Sequence, residues 1–263
     1  MTASSAALAP RFPEPELNLV SVKEPVRCRI VSNENCLRGK SASFVRHTVI
    51  DVGGTALEGR CRVGQAFGVI PPGVDVNGKP HKVRLYSLAC PSAGEDGDGR
   101  LISTTTKRVI AEGGPSSAND EHRLFLGVCS NFLCDLGPGD EVCVTGPNGK
   151  RLLLPDDPAQ HDYLFVATGT GIAPFRGMLL ELLERRPQPV ASQIHLLMGA
   201  PYTTDLIYDD LFVRLSRDHA NFHYHTAISR EPQPDGRPGL YVYHLLDRPM
   251  DQFREVLESP QTL

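Results

Sequence analysis

Residues 163–174 read YLFVATGTGIAP, and this stretch divides the chain into two kinds of pattern. Tyr163 to Ala167 is a continuous apolar run, the habit of a strand buried on both faces of a parallel sheet. It leads directly into Thr168-Gly169-Thr170-Gly171. A helix is expected over 175–186, with Met178, Leu179, Leu182 and Leu183 at helical spacing. Beyond it come a second buried strand (194–198), a second helix (208–218) and a third strand (222–227). A short strand or turn is expected at 240–242 and a last helix at 250–257. The alternation is that of a doubly wound α/β unit built on a parallel sheet. The glycine turn sits where such a sheet binds nucleotides, after the first strand and at the opening of a helix. Its glycines let the backbone approach a pyrophosphate. The motif is a partial GxGxxG, with Pro174 where the third small residue would stand. Its strand–turn–helix context carries more weight than its letters.

Upstream the pattern is different. Strands are expected at 27–31, 44–52 and 65–70, in an alternating run from His81 that closes on Arg84-Leu-Tyr-Ser87, and over 101–110. Polar or glycine-rich loops separate them, among them AGEDGDGR (93–100) and 113–122. Another strand and turn follow at 140–147. This spacing suggests an antiparallel barrel or sandwich. In the RLYS strand Arg84 and Tyr86 share a face, two residues apart. A cation beside a flat aromatic suits a ligand with a phosphate at one end and a planar ring system at the other, and Ser87 adds a hydroxyl. Taken alone, the same four residues also fit an edge strand with a solvated arginine. GVCSNFLCDL (127–136) interrupts the strands. Ser130 is a candidate N-cap for a short helix ended by Gly137-Pro138-Gly139, and a helix N-terminus offers free N–H groups to a phosphate. An ordinary capped helix at a domain edge reads the same way. After the third parallel strand stand Ser229 and Arg230, with Tyr241 eleven residues beyond. An arginine and a hydroxyl there suit a nucleotide 2′-phosphate, although a solvated arginine beside a capping serine is equally consistent.

Composition sets the outer bounds. The chain has 263 residues, 40% apolar and 22% charged, with 24 glycines and 22 prolines, which is a globular composition with many turns. The net charge of −4 gives no support for nucleic-acid binding. Seven cysteines without a CxxC pair support neither a disulfide framework nor a zinc site, and fit a reducing compartment. His223 and His225 alternate in an expected strand and are read as structural or exposed; no metal site is expected. No apolar stretch is long enough for a transmembrane helix. Residues 1–22 read as a flexible tail without the hydrophobic core of a signal peptide, and one arginine is thin for a plastid transit peptide. The expected location is therefore cytoplasmic and bacterial-type. The expected domains are 23–155 and 156–263.

Four stretches, GQAFGVIPPG (64–73), GKPHKVRLYSLA (78–89), GVCSNFLCDLGPGDEVCVTGP (127–147) and LFVATGTGIAPFRG (164–177), together resemble the plant-type ferredoxin–NADP reductase family in order and spacing. The resemblance runs from about Pro25 onward and is nearest the plastid and cyanobacterial type. It implies a FAD-binding antiparallel β-barrel followed by a NADP-binding α/β domain, with electrons passed between NADP(H) and a one-electron carrier, ferredoxin or flavodoxin. In that pattern Arg84 holds the FAD pyrophosphate, Tyr86 stacks on the flavin and Ser87 bonds near its reactive nitrogen, so Tyr86 and Ser87 are the catalytic candidates. Val128, Cys129 and Ser130 line the other side of the FAD, with Ser130 on its pyrophosphate. Thr170 and Gly171 meet the NADP pyrophosphate, and Ser229, Arg230 and Tyr241 hold its 2′-phosphate and adenine. The competing expectations are the reductase component of an oxygenase and a flavin-binding module without hydride transfer.

Three departures from the family pattern stand out. Gly239 replaces a lysine two positions before the phosphate-site tyrosine, with Arg237 a possible substitute. Ala111 stands where plastid members carry the tyrosine that stacks on the FAD adenine. The sequence ends at Leu263, before the family's further central strand, cysteine turn and terminal aromatic. The α/β domain is thus expected to be incomplete, or to have its first strand's free edge covered by another element.

Overall fold

The computed structural model describes residues 9–39, 41, 43–112, 124–186, 188, 190–246 and 262. Its first half contains β1 (Val26–Asn35), β2 (Val45–Asp51), β3 (Ala66–Ile70), β4 (Arg84–Ser87), β5 (Leu101–Lys107), the two-stranded ribbon β6 (Ile110–Glu112) and β7 (Leu124–Leu126), helix α1 (Val128–Asp135), and β8 (Glu141–Asn148). Six of these strands form an antiparallel sheet in the order β4-β3-β8-β1-β2-β5. The sheet closes on itself just past β4. Leu88 bridges Thr104, the Ala89 N–H donates to the Ser103 carbonyl at 2.8 Å, and the Thr104 hydroxyl donates to the Ser87 carbonyl at 2.8 Å. Closure removes the edges that an open sheet would have to protect. Alternate side chains, among them Ile30, Ile50, Phe67, Val69, Ile102 and Val144, point inward and fill the barrel, and α1 adds Leu133 to the same core.

Two expectations change here. The alternating run from His81 pairs with β3 only from Arg84, leaving residues 81–83 outside the ladder, next to a proline that has no N–H to donate. The described part of the expected flexible tail is pinned across the barrel. Val20 is buried and exchanges hydrogen bonds with Gly146 at 2.8 and 2.9 Å, and the Gln65 amide donates to the Glu16 carbonyl at 3.0 Å. The physical reason is that its backbone and Val20 find partners there that a free tail would lack.

The second half holds β9 (Tyr163–Thr168), α2 (Ala173–Leu183), β10 (Ile194–Ala200), α3 (Asp209–Asp218) and β11 (Phe222–Ile228). The strands are parallel in the order β11-β10-β9. Every residue of the central β10 is buried. The flanking β9 is not buried on both faces as its sequence suggests: Tyr163, Phe165 and Ala167 are buried, while Val166 is 40% exposed. Among the described residues β9 is an edge strand, and α2 and α3 pack on its Tyr163, Phe165 and Ala167 side, which accounts for the difference. Near the start of β9, Asp162 bridges Thr262 in parallel. The expected strand or turn at 240–242 leads into a 3-10 turn, Val242–Leu245. The expected helix at 250–257 and the loop at 113–122 lie outside the described residues.

Helix α2 joins the two halves. An added Cβ at Gly177 would collide with the carbonyl of Cys90, so only glycine lets the helix lie this close to the barrel. Beside it the Arg176 guanidinium reaches the Ala89 carbonyl at 2.7 Å and Glu95 Oε1 at 2.6 Å, with a second bond to Oε2 at 3.2 Å. Further along the helix Glu181 accepts the Ser92 N–H at 2.7 Å, and just past the helix end Arg185 donates to the Glu95 carbonyl at 3.1 Å. Glu95 also accepts from Ser103 Oγ at 2.6 Å and lies 3.3 Å from His47 Nε2. Tyr208, held at φ 60°, completes the cluster: its hydroxyl contacts His47 Nδ1 at 2.7 Å and Thr105 Oγ1 at 2.5 Å, beneath the Arg176 guanidinium. That left-handed backbone costs a non-glycine residue about 1 kcal/mol, which the hydroxyl contacts offset.

Arg176 and Glu95 are 13% and 19% exposed, so removing one partner leaves a charge without compensation in a nearly dry interface. Glu95→Ala is expected to cost on the order of 3 kcal/mol or more in urea denaturation. Burial by itself raises the Glu95 carboxyl, but the His47 bond, the Arg176 charge and the Ser103 bond outweigh it and hold the carboxyl well below the usual range. A depressed folded-state value means this contribution is complete above the unfolded value of about 4.3 and is lost as the pH falls below it. Stability measured from pH 7 to pH 3 is expected to fall more shallowly at the acid end in Glu95→Gln than in the parent.

Candidate functional site

The cleft that gathers the sequence candidates lies between β4 and the first turn of α1. It has a volume of about 390 Å3 and is lined by Arg84, Tyr86, Val128, Cys129 and Ser130, among others. That volume lies within the usual range for small-molecule sites. The two segments are more than forty residues apart in sequence, and barrel closure brings them together. Arg84 is exposed, donates to the Val83 carbonyl at 3.2 Å, and has no carboxylate partner among the described residues. Its charge is available to an anion. Tyr86 is half-buried against the barrel core beside Cys129, whose thiol donates to the Val69 carbonyl at 3.9 Å. Burial, then the neighbouring Cys129 thiol, pushes the Tyr86 phenol upward, and burial also raises the Cys129 thiol. Both are protonated at neutral pH, so neither serves as a nucleophile or base there.

The expected cap at Ser130 is corrected. The helix begins at Val128 with Gly127 at its N-cap, and Ser130 is its third residue. The Ser130 hydroxyl accepts the Val109 N–H and donates to the Gly127 carbonyl, each at 3.2 Å. It therefore ties the helix to the β6–β7 ribbon and does not cap its own first turn. The helix-start amides of Val128, Cys129 and Ser130 remain the groups that an α-helix leaves without intrahelical partners, and they face an anion with the positive end of the helix dipole. Ser87 is exposed at the end of β4 and is not among the residues lining the cleft. Residues that sequence reasoning passed over do line it: His81, Lys82, Leu85, Val109 and Phe125. The first three stand beside RLYS in the same run. Val109 and Phe125 carried no signal, because an apolar residue in a short strand reads as core.

The second group of candidates shares one face of the α/β half, at the C-terminal ends of its strands. Thr170 and Gly171 lie in the 3-10 turn between β9 and α2, and a side chain built on Gly171 would meet nothing within 4 Å. Ser229 and Arg230 follow β11, and Tyr241 precedes the turn at 242–245. β9 and β11 flank β10, so the two subgroups are about 10 Å apart, two strand spacings. The strand ends are laced together. Ser229 N–H donates to the Ala200 carbonyl at 3.0 Å, Arg230 N–H to Pro201 at 2.9 Å, and Leu240 N–H to Ile228 at 2.7 Å. Arg230 is exposed, with no carboxylate partner among the described residues. Tyr241 is 56% exposed and stacks with Tyr243 at a centroid distance of 5.7 Å. Arg237 is paired with Asp235, with Nε to Oδ2 at 2.7 Å. Gly239 has its own structural reason: an added Cβ would lie 2.5 Å from the Ser229 carbonyl oxygen and 2.7 Å from that of Ile228.

Comparison with known proteins agrees with this architecture. Residues 165–257 match the family model described as "Oxidoreductase NAD-binding domain". The chain is 37% identical over 250 residues to the root-type chloroplastic ferredoxin–NADP reductase of Nicotiana tabacum, covering 94% of this chain and 65% of that protein. It is 34% identical over 249 residues to the ferredoxin–NADP reductase of a Spirulina species, covering 94% of this chain and 82% of that one. The chain thus spans about two thirds of the length of the plastid relative and four fifths of the cyanobacterial one. The solved ferredoxin–NADP+ reductase from Plasmodium falciparum with 2′P-AMP superposes with a TM-score of 0.74 at 24% identity, covering 93% of this chain and 87% of that one, and so shares the fold. A closed antiparallel barrel carrying a cationic, aromatic cleft, followed by a parallel α/β half with a glycine turn, defines a two-domain reductase architecture. The chain belongs to the ferredoxin–NADP reductase family.

If Gly239 is kept by close packing, even a methyl there is harmful. Gly239→Ala is expected to cost about 1–3 kcal/mol in thermal denaturation, since either the 239–241 segment or the β11 end must shift.

Proposed function

We propose that this chain binds FAD in the barrel cleft and NADP(H) at the α/β face, and moves electrons between NADP(H) and a one-electron carrier, ferredoxin or flavodoxin. The observation that carries the reading is the single cleft that unites the Arg84 and Tyr86 face of β4 with the amide end of α1. The donor set fits the group: a guanidinium and helix-start amides for a diphosphate, and a half-buried ring beside them for a planar system. When bound, a flavin takes up two electrons as hydride and returns them singly.

The chain's own residues hold and orient. Arg84 and the first turn of α1 would fix the diphosphate, and Tyr86, packed against the barrel core, would offer its ring as a platform. Ser87, at the end of β4, is proposed to lie beside the reactive edge of the bound ring, although it does not line the cleft itself. Thr170 and Gly171 would receive the pyrophosphate of NADP(H) at the opening of α2. Arg230, with Ser229 and Tyr241, would select the 2′-phosphate and hold the adenine. No helix among the described residues is long and apolar enough to cross a membrane, and the seven cysteines are free thiols. Those thiols support a reducing compartment.

The purified chain is expected to take up FAD and turn yellow, and NADPH is expected to bleach it faster than NADH. Arg230→Ala should reduce that preference roughly tenfold, the scale of one charge-assisted contact. Arg84→Ala should weaken flavin binding by about tenfold or more in a fluorescence titration. A colourless protein that takes up no added FAD would sink the proposal.

A further inference from the structure

Phe125 lines the same cleft as Tyr86, in company with Val109 and Val128, yet it is 61% exposed. Among the described residues, none packs over this large apolar ring on its two-stranded ribbon. In the β6–β7 register Phe125 stands directly opposite Ala111, so both side chains share one face and the ring has only a methyl across from it. The ribbon is also positioned with some care. Gly127 N–H donates to the Val109 carbonyl at 2.9 Å, Val109 N–H donates to Ser130 Oγ, and the Asn131 amide donates to the carbonyls of Val109 and Gly127 at 2.9 and 2.8 Å. The first turn of α1 and the root of the ribbon are therefore one unit, and Phe125 sits a fixed distance from the amides that face an anion.

The cleft thus has ring surfaces at two places, Tyr86 and Phe125, with the cations Lys82 and Arg84, the His81 imidazole and the start of α1 lining the same space. A ligand with one ring system and a terminal phosphate would use only the first surface. A ligand with two ring systems joined by a diphosphate would use both. We infer that Phe125 is the stacking platform for the second ring, the adenine of a flavin dinucleotide, and that it makes the site selective for FAD over FMN. This rests on the flavin reading above and extends it to a residue on the strand opposite Ala111. Stacking desolvates the exposed ring and the base together, and a base on an aromatic side chain contributes enough to change affinity between about fivefold and a hundredfold.

The test is a titration of flavin-free protein with FAD and, separately, with FMN, followed by flavin fluorescence. Phe125→Ala is expected to weaken FAD roughly tenfold or more while leaving FMN unchanged. Phe125→Trp should keep FAD affinity, and placing the ring across the ribbon in Phe125→Ala/Ala111→Phe should restore it. Because Phe125 is exposed, the variants should melt like the parent, which circular dichroism checks. Unchanged FAD binding in Phe125→Ala, or an equal loss of FAD and FMN, would overturn the assignment. A parent protein that binds neither flavin would instead overturn the flavin reading on which it rests.

Discussion

The buried pair between Arg176 and Glu95 is the interaction on which the arrangement of the two halves depends. Arg176 lies in the first turn of α2, immediately after the glycine turn, and Glu95 lies in the loop just past β4. One ion pair therefore ties the segment that would receive a nucleotide pyrophosphate to the strand that carries Arg84 and Tyr86. Two charges in a nearly dry interface are tolerable only because the hydrogen bonding is almost complete, with Ala89, Ser103, His47 and Tyr208 sharing the work. Gly177 beside it removes the side chain that would otherwise hold the helix away from the Cys90 carbonyl. The result is a rigid seam, and rigidity is what two ligand sites on different domains require if a ligand in one is to meet a ligand in the other.

A second constraint operates within the barrel. Closure through Leu88 and Thr104 shapes one end of the cylinder, and α1 supplies both core packing, through Leu133, and a helix N-terminus at the cleft. Structural and ligand-facing duties are divided by atom. The Ser130 hydroxyl ties the helix to the ribbon, while the amides of the same turn stay open to an anion. Cys129 is buried, with its thiol turned to the Val69 carbonyl of β3. The polar groups that remain free at the cleft are cations and amides, with no acid among the residues lining it. Such a lining suits the proposed phosphorylated cofactor, to which the redox chemistry would fall.

Much of this was legible in the sequence for physical reasons. The two-residue period of the barrel strands, the continuous apolar run of β9 with its glycine turn, and the alternation of helix and strand after it are local consequences of side-chain size and polarity. They determined the order and type of elements, and hence a barrel followed by a parallel sheet. The RLYS face was legible because a strand's alternation places Arg84 and Tyr86 together whatever the rest of the fold does. What sequence reasoning misjudged lay where a neighbour decides. The tail is pinned by the Gly146 backbone, Ser130 bonds to the ribbon and does not cap, β9 is half-open because it is an edge, and Gly239 is small because β11 runs past it.

Glu95 marks the boundary between the two kinds of information. In AGEDGDGR it looks like one more solvated acid in a polar loop, and nothing local distinguishes it from Asp96 or Asp98. Only the docking of α2, eighty-one positions along the chain, buries it against Arg176. Phe125 is the converse: an apolar residue in LFL that pattern assigns to a core, which the tertiary structure leaves at the mouth of a cleft. Periodicity and composition act through neighbours along the chain, so the sequence alone determined which elements form and which faces are apolar. Burial, charge pairing and cleft formation depend on segments far apart in sequence, and these only the packed structure could decide.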